Sequence, residues 1–258
     1  MLTPLPTTFP PIPKNKKELV GRLKVLLQNE ATYPLPEAIG DKLLGGSGGP
    51  GALLEILLGS EGSNKALADA AGVEIKYHSK KSTTPLTLFH QEVEGGNPAL
   101  VPFFEHVAYT DKKGRLAFRH TIKASSKVPR ARIFRRGGKI VVTPVGTKEP
   151  SVFWFERTLV NAVSKKCQTL ILVAGEKLKV AGEPAVRYTS AKILSEFKQE
   201  EFLNCLSNRD LWVDFDLREQ EAGDFASGRY RLRNHGTKVR IPHESFPELW
   251  ESIEAVKL

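Results

Sequence analysis

One short stretch, residues 73–77, constrains the fold more than any other part of the sequence. Every second residue in it is apolar, as expected of a β-strand with one face against a hydrophobic core. Glu74 and Lys76 then project together from the opposite face. The chain therefore has to place a carboxylate and an ammonium group side by side on a sheet, with the core directly behind them.

The residues around this strand suggest a particular chemistry. Asp69 lies just before the strand, near enough to bring its carboxylate beside that of Glu74. Two carboxylates and the backbone carbonyl of Ile75 form the incomplete, all-oxygen ligand set that Mg²⁺ prefers. Such an ion polarises a phosphoryl oxygen and lowers the pKa of a bound water. Lys76 can hold that water and neutralise charge in the transition state, so the motif predicts phosphodiester hydrolysis.

Glu55 is a second unusual carboxylate, because it interrupts the apolar run Leu53–Leu58. Pro50 is suited to begin a helix over this run, and Gly59 is suited to end it. Burying Glu55 would be costly without a metal, a lysine or a hydrogen-bond network. The alternative is that Glu55 faces a polar gap between lobes. The glycine-rich stretch 45–49 lacks the GKS/T ending of a P-loop, which makes nucleotide binding improbable.

Strand-type and helix-type segments alternate along the chain, which predicts an α/β (mixed α+β) fold. The predicted strands and β-hairpins cover residues 72–77, 86–92, 103–143, 169–174, 186–188 and 211–217. The predicted helices cover the segment that Asn15 caps and residues 50–58, 152–164, 191–206 and 245–255.

Positive charge is concentrated in two blocks. The chain has 38 Lys and Arg against 29 Asp and Glu, a net charge of +9. Residues 111–139 hold eleven basic residues and one acidic residue, and residues 229–240 hold five basic residues and none acidic. Such blocks are typical of proteins that bind the phosphate backbone, although a solvated basic face without a partner fits as well. In the first block, Arg135 and Arg136 are predicted to contact phosphates.

Other classes of protein fit the sequence poorly. Its apolar runs are too short to cross a bilayer, and its N-terminus lacks the pattern of a secretory signal. Only two cysteines, Cys167 and Cys205, are present, without a CxxC pair. They argue against a disulfide framework or a zinc site and fit a reducing cytoplasm.

The stretch from Gly48 to Lys76 resembles the active-site region of the MutH mismatch-repair nickase and of the MvaI/BcnI restriction endonuclease family. The four-residue gap between Asp69 and Glu74 is similar to the MvaI/BcnI pattern, whereas MutH has a longer gap. The resemblance continues at 86–89 (LTLF), 152–155 (VFWF) and 234–241 (NHGTKVRI), the last close to an HGT-x-[FV]-R-I signature. Ala68 replaces the proline usual before the catalytic aspartate, and the Pro-rich arm at 1–13 has no counterpart.

The resemblance implies a PD-(D/E)XK nuclease core, a mixed β-sheet flanked by helices, joined to a β-rich DNA-recognition lobe. Residues 1–100 and 151–209 would form the catalytic lobe, and residues 101–150 and 210–258 the recognition lobe. The residues implied in metal binding or catalysis are Asp69, Glu74, Ile75 through its carbonyl, Lys76 and, as an accessory acid, Glu55. The other residues expected to contact DNA are His90, Arg229, Arg231, Arg233, His235, Thr237 and Arg240.

Within this group, Arg229, Arg231 and Arg233 alternate along a predicted strand and share one face. Arginine is well matched to guanine, which predicts base reading in the major groove; phosphate contact is the alternative. His90 and His235 could each reach a base edge or be hydrogen-bonded to backbone.

The function that the resemblance implies is that of a type II restriction endonuclease, which uses Mg²⁺ to cleave double-stranded DNA at a short site. Such an enzyme is expected to be a monomer in a prokaryotic cytoplasm, together with a DNA methyltransferase. A MutH-like nickase with a MutL-type partner is one alternative. A non-catalytic DNA-binding protein with a degenerate nuclease core is the other.

Overall fold

The computed structural model describes residues 2–8, 10–28, 31–39, 42–60, 72–126, 130–209, 211–220 and 231–258. The helices are α1 (Lys16–Gln28), α2 (Gly49–Leu58), α3 (Gly96–Val107), α4 (Glu156–Cys167), α5 (Gln199–Asn208) and α6 (Phe246–Leu249), the last preceded by a 3₁₀ turn at His243–Ser245. Strands β1–β8 are Thr32–Pro34, Ala38–Ile39, Lys42–Leu43, Glu74–Ser79, Leu86–His90, Tyr109–Thr110, Leu116–Ile122 and Ala131–Arg136. Strands β9–β16 are Lys139–Pro144, Val152–Phe155, Thr169–Val180, Glu183–Phe197, Trp212–Gln220, Arg231–Asn234, Lys238–Ile241 and Trp250–Ala255.

The chain divides into two compact units, each discontinuous in sequence. Unit 1 contains residues 1–84, 164–197 and 250–258, and unit 2 contains residues 85–163 and 198–249. No helix in the described part of the chain is long and apolar enough to cross a membrane.

Unit 1 is built on a mixed sheet of five strands. Four of them lie in the order β1-β12-β11-β4, and β16 pairs with β12. Strands β4 and β11 run parallel, whereas the other pairs are antiparallel. Helix α1 packs against β12 and helix α2 against β4. The predicted mixed sheet flanked by helices is thus confirmed.

The core of unit 1 explains why α1 and α2 form where they do. Leucines at positions 19, 23, 26 and 27 of α1 are buried at helical spacing. The backbone N–H of Glu18 bonds to the Asn15 side chain (3.0 Å), so the predicted cap is present. Helix α2 ends at Gly59, whose φ of 76° is a left-handed conformation that glycine adopts readily.

Unit 2 contains two antiparallel sheets. The larger has the order β5-β15-β13-β7-β6 with β14 paired to β13, and the smaller has the order β10-β9-β8. Helix α3 packs against β7, β9 and β10, and helix α5 against β8 and β9. Aromatic rings dominate the interior, where Phe215 lies 5.7–6.2 Å from Phe103, Phe118 and Trp154 between ring centroids.

The unit boundaries differ from the lobe boundaries predicted at 100, 150 and 209. Residues 85–100 lie in unit 2, where β5 pairs with β15. Residues 151–163 and 198–209 also lie there, since β10 pairs with β9 and α5 packs on β8. Residues 250–258 lie in unit 1, because β16 pairs with β12.

Three predicted helices need correction. Residues 152–155 form strand β10, so the helix begins only at Glu156. Residues 191–197 continue β12, and the following helix covers Gln199–Asn208. The predicted helix at 245–255 is a short helix followed by β16. One predicted hairpin is also wrong, since residues 103–107 belong to α3.

Candidate active site

Strand β4 presents Glu74 and Lys76 on one face, as the alternation predicts. Its parallel partner β11 holds the register, with Glu74 opposite Leu170 and Lys76 opposite Leu172. The intervening Ile75 is buried in the core of unit 1. Glu74 and Lys76 form an ion pair between Oε1 and Nζ. The two groups predicted to lie side by side are therefore in direct contact.

Burial makes this pair electrostatically unusual. The Glu74 side chain is 1% exposed and that of Lys76 is 26% exposed. Burial, and then the charge of Glu74, raise the pKa of the Cys167 thiol at the end of α4 to about 12, while Lys76 and Lys166 oppose them. The thiol therefore stays protonated at neutral pH, and the buried charge of Glu74 contributes to that shift.

Glu55 lies on α2, the helix that packs against β4. Leu53, Leu54, Ile56 and Leu58 of this helix are buried in the core, whereas Glu55 is partly exposed. The helix thus turns an apolar surface to the core and keeps the carboxylate at its margin, which avoids full desolvation of the charge. This arrangement is compatible with either interpretation of Glu55 that the sequence left open.

The remaining predicted carboxylate, Asp69, lies in residues 61–71, outside the described residues. Among the residues that are described, no three His, Cys, Asp or Glu side chains come together as a metal site. The described part of the predicted ligand set consists of the Glu74 carboxylate and the Ile75 carbonyl. Both are oxygen donors of the kind that hard divalent cations take, so these residues fit such an ion.

A polar face of the larger sheet in unit 2 carries several predicted DNA-contacting residues. The Arg240 guanidinium is bonded through Nε to Thr87 Oγ1 (3.1 Å) and paired through Nη1 with Asp214 Oδ2 (3.2 Å). Asp214 also accepts a hydrogen bond of 2.6 Å from Thr121. Arg240 is therefore held in a fixed orientation by β5 and β13.

The turn that contains His235 lies beside β5. The backbone N–H of His235 bonds to Asp216 O (3.2 Å), and that of Gly236 to the Asn234 side chain (2.9 Å). Gly236 has a φ of 81°, and a Cβ there would stand 3.2 Å from His90 Nδ1. The structure thus brings His90 close to the turn, and glycine lets the backbone approach it.

Thr237 does not present its side chain as predicted. The residue is 1% exposed, and its carbonyl accepts a hydrogen bond of 3.0 Å from Gln91 N. Within the described part of the chain, its buried hydroxyl has no hydrogen-bond partner. A hydroxyl closed off from solvent cannot reach DNA in this conformation, so the side chain of Thr237 does not support the predicted contact.

Arg233 lies opposite Arg218 on the neighbouring strand β13. Burial, and then the charges of Arg233, Arg115 and Arg119, lower the pKa of Arg218. Arg115 is paired with Asp111, and Arg119 with Asp216 (3.1 Å). In the described part of the chain, neither Arg218 nor Arg233 has an acidic partner within ion-pair distance. This concentration of positive charge favours an anion.

Sequence reasoning missed Asp214, Asp216 and Arg218. The signal was present in the run LWVDFDLREQ, because Val213, Phe215 and Leu217 are buried and the charged residues alternate with them. Two other arginines are predicted to share a face with Arg233. Arg229 lies outside the described residues. The backbone of Arg231, in β14, pairs with that of Gln220, in β13.

Arg135 is bonded to carboxylates rather than being open to phosphate. Its Nε and Nη2 each donate to Glu156 at 2.8 Å, Nη1 pairs with Glu200, and Asn204 lies 3.3 Å away. Both carboxylates raise the pKa of Arg135. This network links β8 to α4 and α5, so the predicted phosphate contact at Arg135 would require its disruption. Arg136 is exposed, as Arg135 is, but it has no carboxylate within ion-pair distance among the described residues.

The model of the MvaI/BcnI restriction endonuclease family matches residues 38–250. No curated protein matches. This chain is similar in structure to the solved structure described as "Restriction endonuclease MvaI-cognate DNA substrate complex", with a TM-score of 0.71 and 21% sequence identity. The match covers 93% of this chain and 99% of that chain. "Restriction endonuclease MvaI in the absence of DNA" has a TM-score of 0.56 and 19% identity over 96% and 100% of the two chains.

Proposed function

The chain belongs to the MvaI/BcnI restriction endonuclease family and is a type II restriction endonuclease, and we propose that it hydrolyses double-stranded DNA with Mg²⁺ at the Glu74–Lys76 pair. The observation that carries the proposal is this ion pair, placed by β4 on one face with the carboxylate almost fully buried. Enzymes of this family generally use a divalent metal ion, and Mg²⁺ is the ion that suits an all-oxygen site.

The ligands in this proposal are the carboxylates of Glu74 and Asp69 and the carbonyl of Ile75. When bound, the ion would supply Lewis-acid activation of the scissile phosphate and of a water molecule. The chain's own groups do the rest. Through their ion pair, Glu74 would hold the Lys76 ammonium group beside the reacting phosphate. Lys76 orients the attacking water and neutralises charge that develops on the phosphate oxygens. Glu55 serves as an accessory acid.

Recognition is assigned to the polar face of the larger sheet in unit 2. Arg233 and His235 are the proposed base readers, with Arg229, Arg231, Arg240 and His90 as further contacts. Arginine bonds bidentately to guanine O6 and N7, so a G/C-containing site is expected. Arg240 supports this role because Thr87 and Asp214 fix its orientation, and a preorganised donor loses less conformational freedom on binding.

The proposed setting is a prokaryotic cytoplasm, where a monomer acts together with a DNA methyltransferase that protects the host's own sites. Both cysteines, Cys167 and Cys205, are free, which suits a reducing compartment. The MutH-like alternative is less well supported, because the family model that matches is that of the restriction enzymes.

Digestion of a plasmid of known sequence tests this proposal. With Mg²⁺ we expect discrete fragments whose sequenced ends share one short motif, and with EDTA we expect intact plasmid. Accumulation of nicked circles without linear product would instead indicate a nickase. Binding without cleavage under any divalent metal would indicate a degenerate nuclease core.

A further inference from the structure

The smaller sheet of unit 2 has an outer face whose residues, apart from the phosphate contact predicted for Arg136, have no role in the proposed function. Its inner face is apolar, since Ile133, Ile140, Val142, Val152 and Trp154 are all buried. Side chains alternate along each strand, so the intervening residues point away from this core. In register, Phe134, Val141 and Phe153 form one row across the three strands, and Arg136, Lys139 and Phe155 form the next.

Cations and aromatic rings are in contact on this outer face. The Lys139 ammonium group lies 4.0 Å from the ring centroid of Phe153 and 5.4 Å from that of Phe155. The Arg157 guanidinium, at the start of α4, lies 5.0 Å from the Phe155 centroid. Cation–π contacts of this kind orient cations while leaving them accessible to solvent. We call Arg132, Arg136, Lys139 and Arg157, together with the three phenylalanines, the aromatic-cationic patch.

The charges of the patch are not balanced by acids. Among the described residues, none of its four cations has a carboxylate within ion-pair distance. Glu156, at the border, is bonded to Arg135. Glu94 accepts hydrogen bonds from Phe155 N (3.4 Å) and Thr158 Oγ1 (2.8 Å). Both of these acids therefore already have partners, whereas the four cations have none that is acidic in the described part of the chain. On the larger sheet, Arg240 and Arg119 are paired with aspartates, whereas Arg218 and Arg233 are left without an acidic partner in the same way.

We propose that the aromatic-cationic patch is a sequence-independent docking surface for the phosphate backbone of duplex DNA. This inference rests on the proposed action on DNA and adds a second contact, separate from base reading on the larger sheet. A duplex backbone is a polyanion, which complements four cations that have no acidic partner among the described residues. Base stacking is disfavoured because Lys139 and Arg157 already cover ring faces of Phe153 and Phe155.

The dimensions of the patch fit several phosphates. Arg132 and Arg136 are four residues apart on β8, about 13 Å along a strand. One strand of B-DNA carries a phosphate about every 3.4 Å of helix axis, so the distance between the two arginines corresponds to about four phosphate steps measured along that axis. A surface of this kind lets an endonuclease hold non-cognate DNA loosely while it searches for its site.

The test measures binding of a non-cognate duplex in EDTA as a function of salt. In the triple variant Arg132→Ala/Arg136→Ala/Arg157→Ala we expect binding at least about tenfold weaker, with the salt slope reduced by about two to three units. The variant Lys14→Ala/Lys16→Ala/Lys17→Ala removes the same charge from the exposed start of α1 and should bind as the wild type does. The charge-retaining Arg132→Lys/Arg136→Lys/Arg157→Lys variant should retain most of the binding and covers a failure of the alanine variant to fold.

Three outcomes would overturn the inference: an unchanged salt slope in the patch variant, an equal loss in the α1 control, or a loss confined to single-stranded DNA. The last would mean that the rings stack bases. Because the assay needs neither metal nor cleavage, it separates this inference from the proposed function. A wild-type protein that cleaves no DNA would refute the function while the binding data still decide on the patch.

Discussion

At the scale of single residues, the Glu74–Lys76 pair shows how burial gives one carboxylate two roles. A carboxylate that is 1% exposed needs a cation, because an unpaired buried charge is strongly destabilising. Lys76 supplies that cation in the protein, and the proposed Mg²⁺ would add to it. The stability of the strand and the chemistry of the site thus depend on the same side chain.

The first prediction concerns catalysis at this pair. Glu74→Gln and Lys76→Met should each reduce cleavage of a cognate duplex by at least about 10²-fold, since each removes a preorganised charge at the reacting phosphate. Binding in EDTA should change little. The matched control is Glu183→Gln, an exposed position in unit 1, which should cleave normally. Wild-type cleavage rates in either active-site variant would refute the assignment.

The second prediction concerns Arg233. Arg233→Ala should weaken binding to the cognate site by roughly 1–3 kcal/mol and reduce the difference in affinity between cognate and near-cognate sites. The unfolding midpoint of the free protein should not fall, because burial and then the charge of Arg233 lower the pKa of Arg218, and the substitution removes that repelling charge. Affinities for cognate, near-cognate and random duplexes check this. Equal losses on all three would identify Arg233 as a phosphate clamp.

At the scale of elements, the local sequence pattern correctly predicted strands in which apolar and polar residues alternate. It failed for segments whose structure is determined by pairing with other strands of a sheet. Residues 191, 194 and 197 are buried at a spacing of three, which imitates a helix. The segment nevertheless extends β12, because β11 and β16 pair with it on either side. Residues 250–255, which the local pattern predicts as helix, form strand β16 because they pair with β12. Such partners are distant in sequence, so a local pattern does not contain them.

The same distinction between local and long-range contacts applies to the predicted site residues. The contact between Glu74 and Lys76 follows from alternation within one strand and was predictable. The partners of Arg135 lie 21 and 65 residues away, at Glu156 and Glu200, and no local pattern indicated them. Arg135 therefore read as one more cation of a basic block, although it is a structural link.

The third prediction concerns the brace between α1 and α2. Arg22 Nη1 bonds to Leu58 O (2.9 Å) at the end of α2 and to Pro11 O (2.5 Å) in the N-terminal arm, and Nη2 pairs with Glu18. Arg22→Ala leaves these acceptors without a charged donor and should lower the free energy of unfolding by about 2–3 kcal/mol. The free energy of unfolding of Arg22→Lys should lie between those of the wild type and Arg22→Ala, since an ammonium group cannot reproduce the planar guanidinium fork.

Urea titration measures this difference. Arg209→Ala serves as the control, because its pair with Glu248 is largely exposed and should contribute under about 1 kcal/mol. If Arg22→Ala cost no more than Arg209→Ala, the brace would be an incidental contact. Helix α2 carries Glu55, so loss of the brace should also reduce cleavage.

At the scale of the whole molecule, the proposed catalytic and recognition residues lie in different units of the chain. Unit 1 contains the Glu74–Lys76 pair, and unit 2 contains both the polar face of the larger sheet and the aromatic-cationic patch. Part of the net charge of +9 comes from cations on unit 2 that, among the described residues, have no acid within ion-pair distance, and such cations would complement a polyanion. The proposed assignment of catalysis to unit 1 and recognition to unit 2 follows from this distribution.

The last prediction follows from the number of active sites. The D-x₄-E-x-K motif occurs once in the chain, so one molecule can hydrolyse one strand at a time. A monomer should therefore convert supercoiled plasmid first to open circles and then to linear DNA. Both first-order rate constants should be independent of enzyme concentration when enzyme exceeds DNA. Gel quantification of the three plasmid forms over time measures them. Direct conversion to linear DNA, with a rate that rises steeply with enzyme concentration, would instead require two chains acting together on one site.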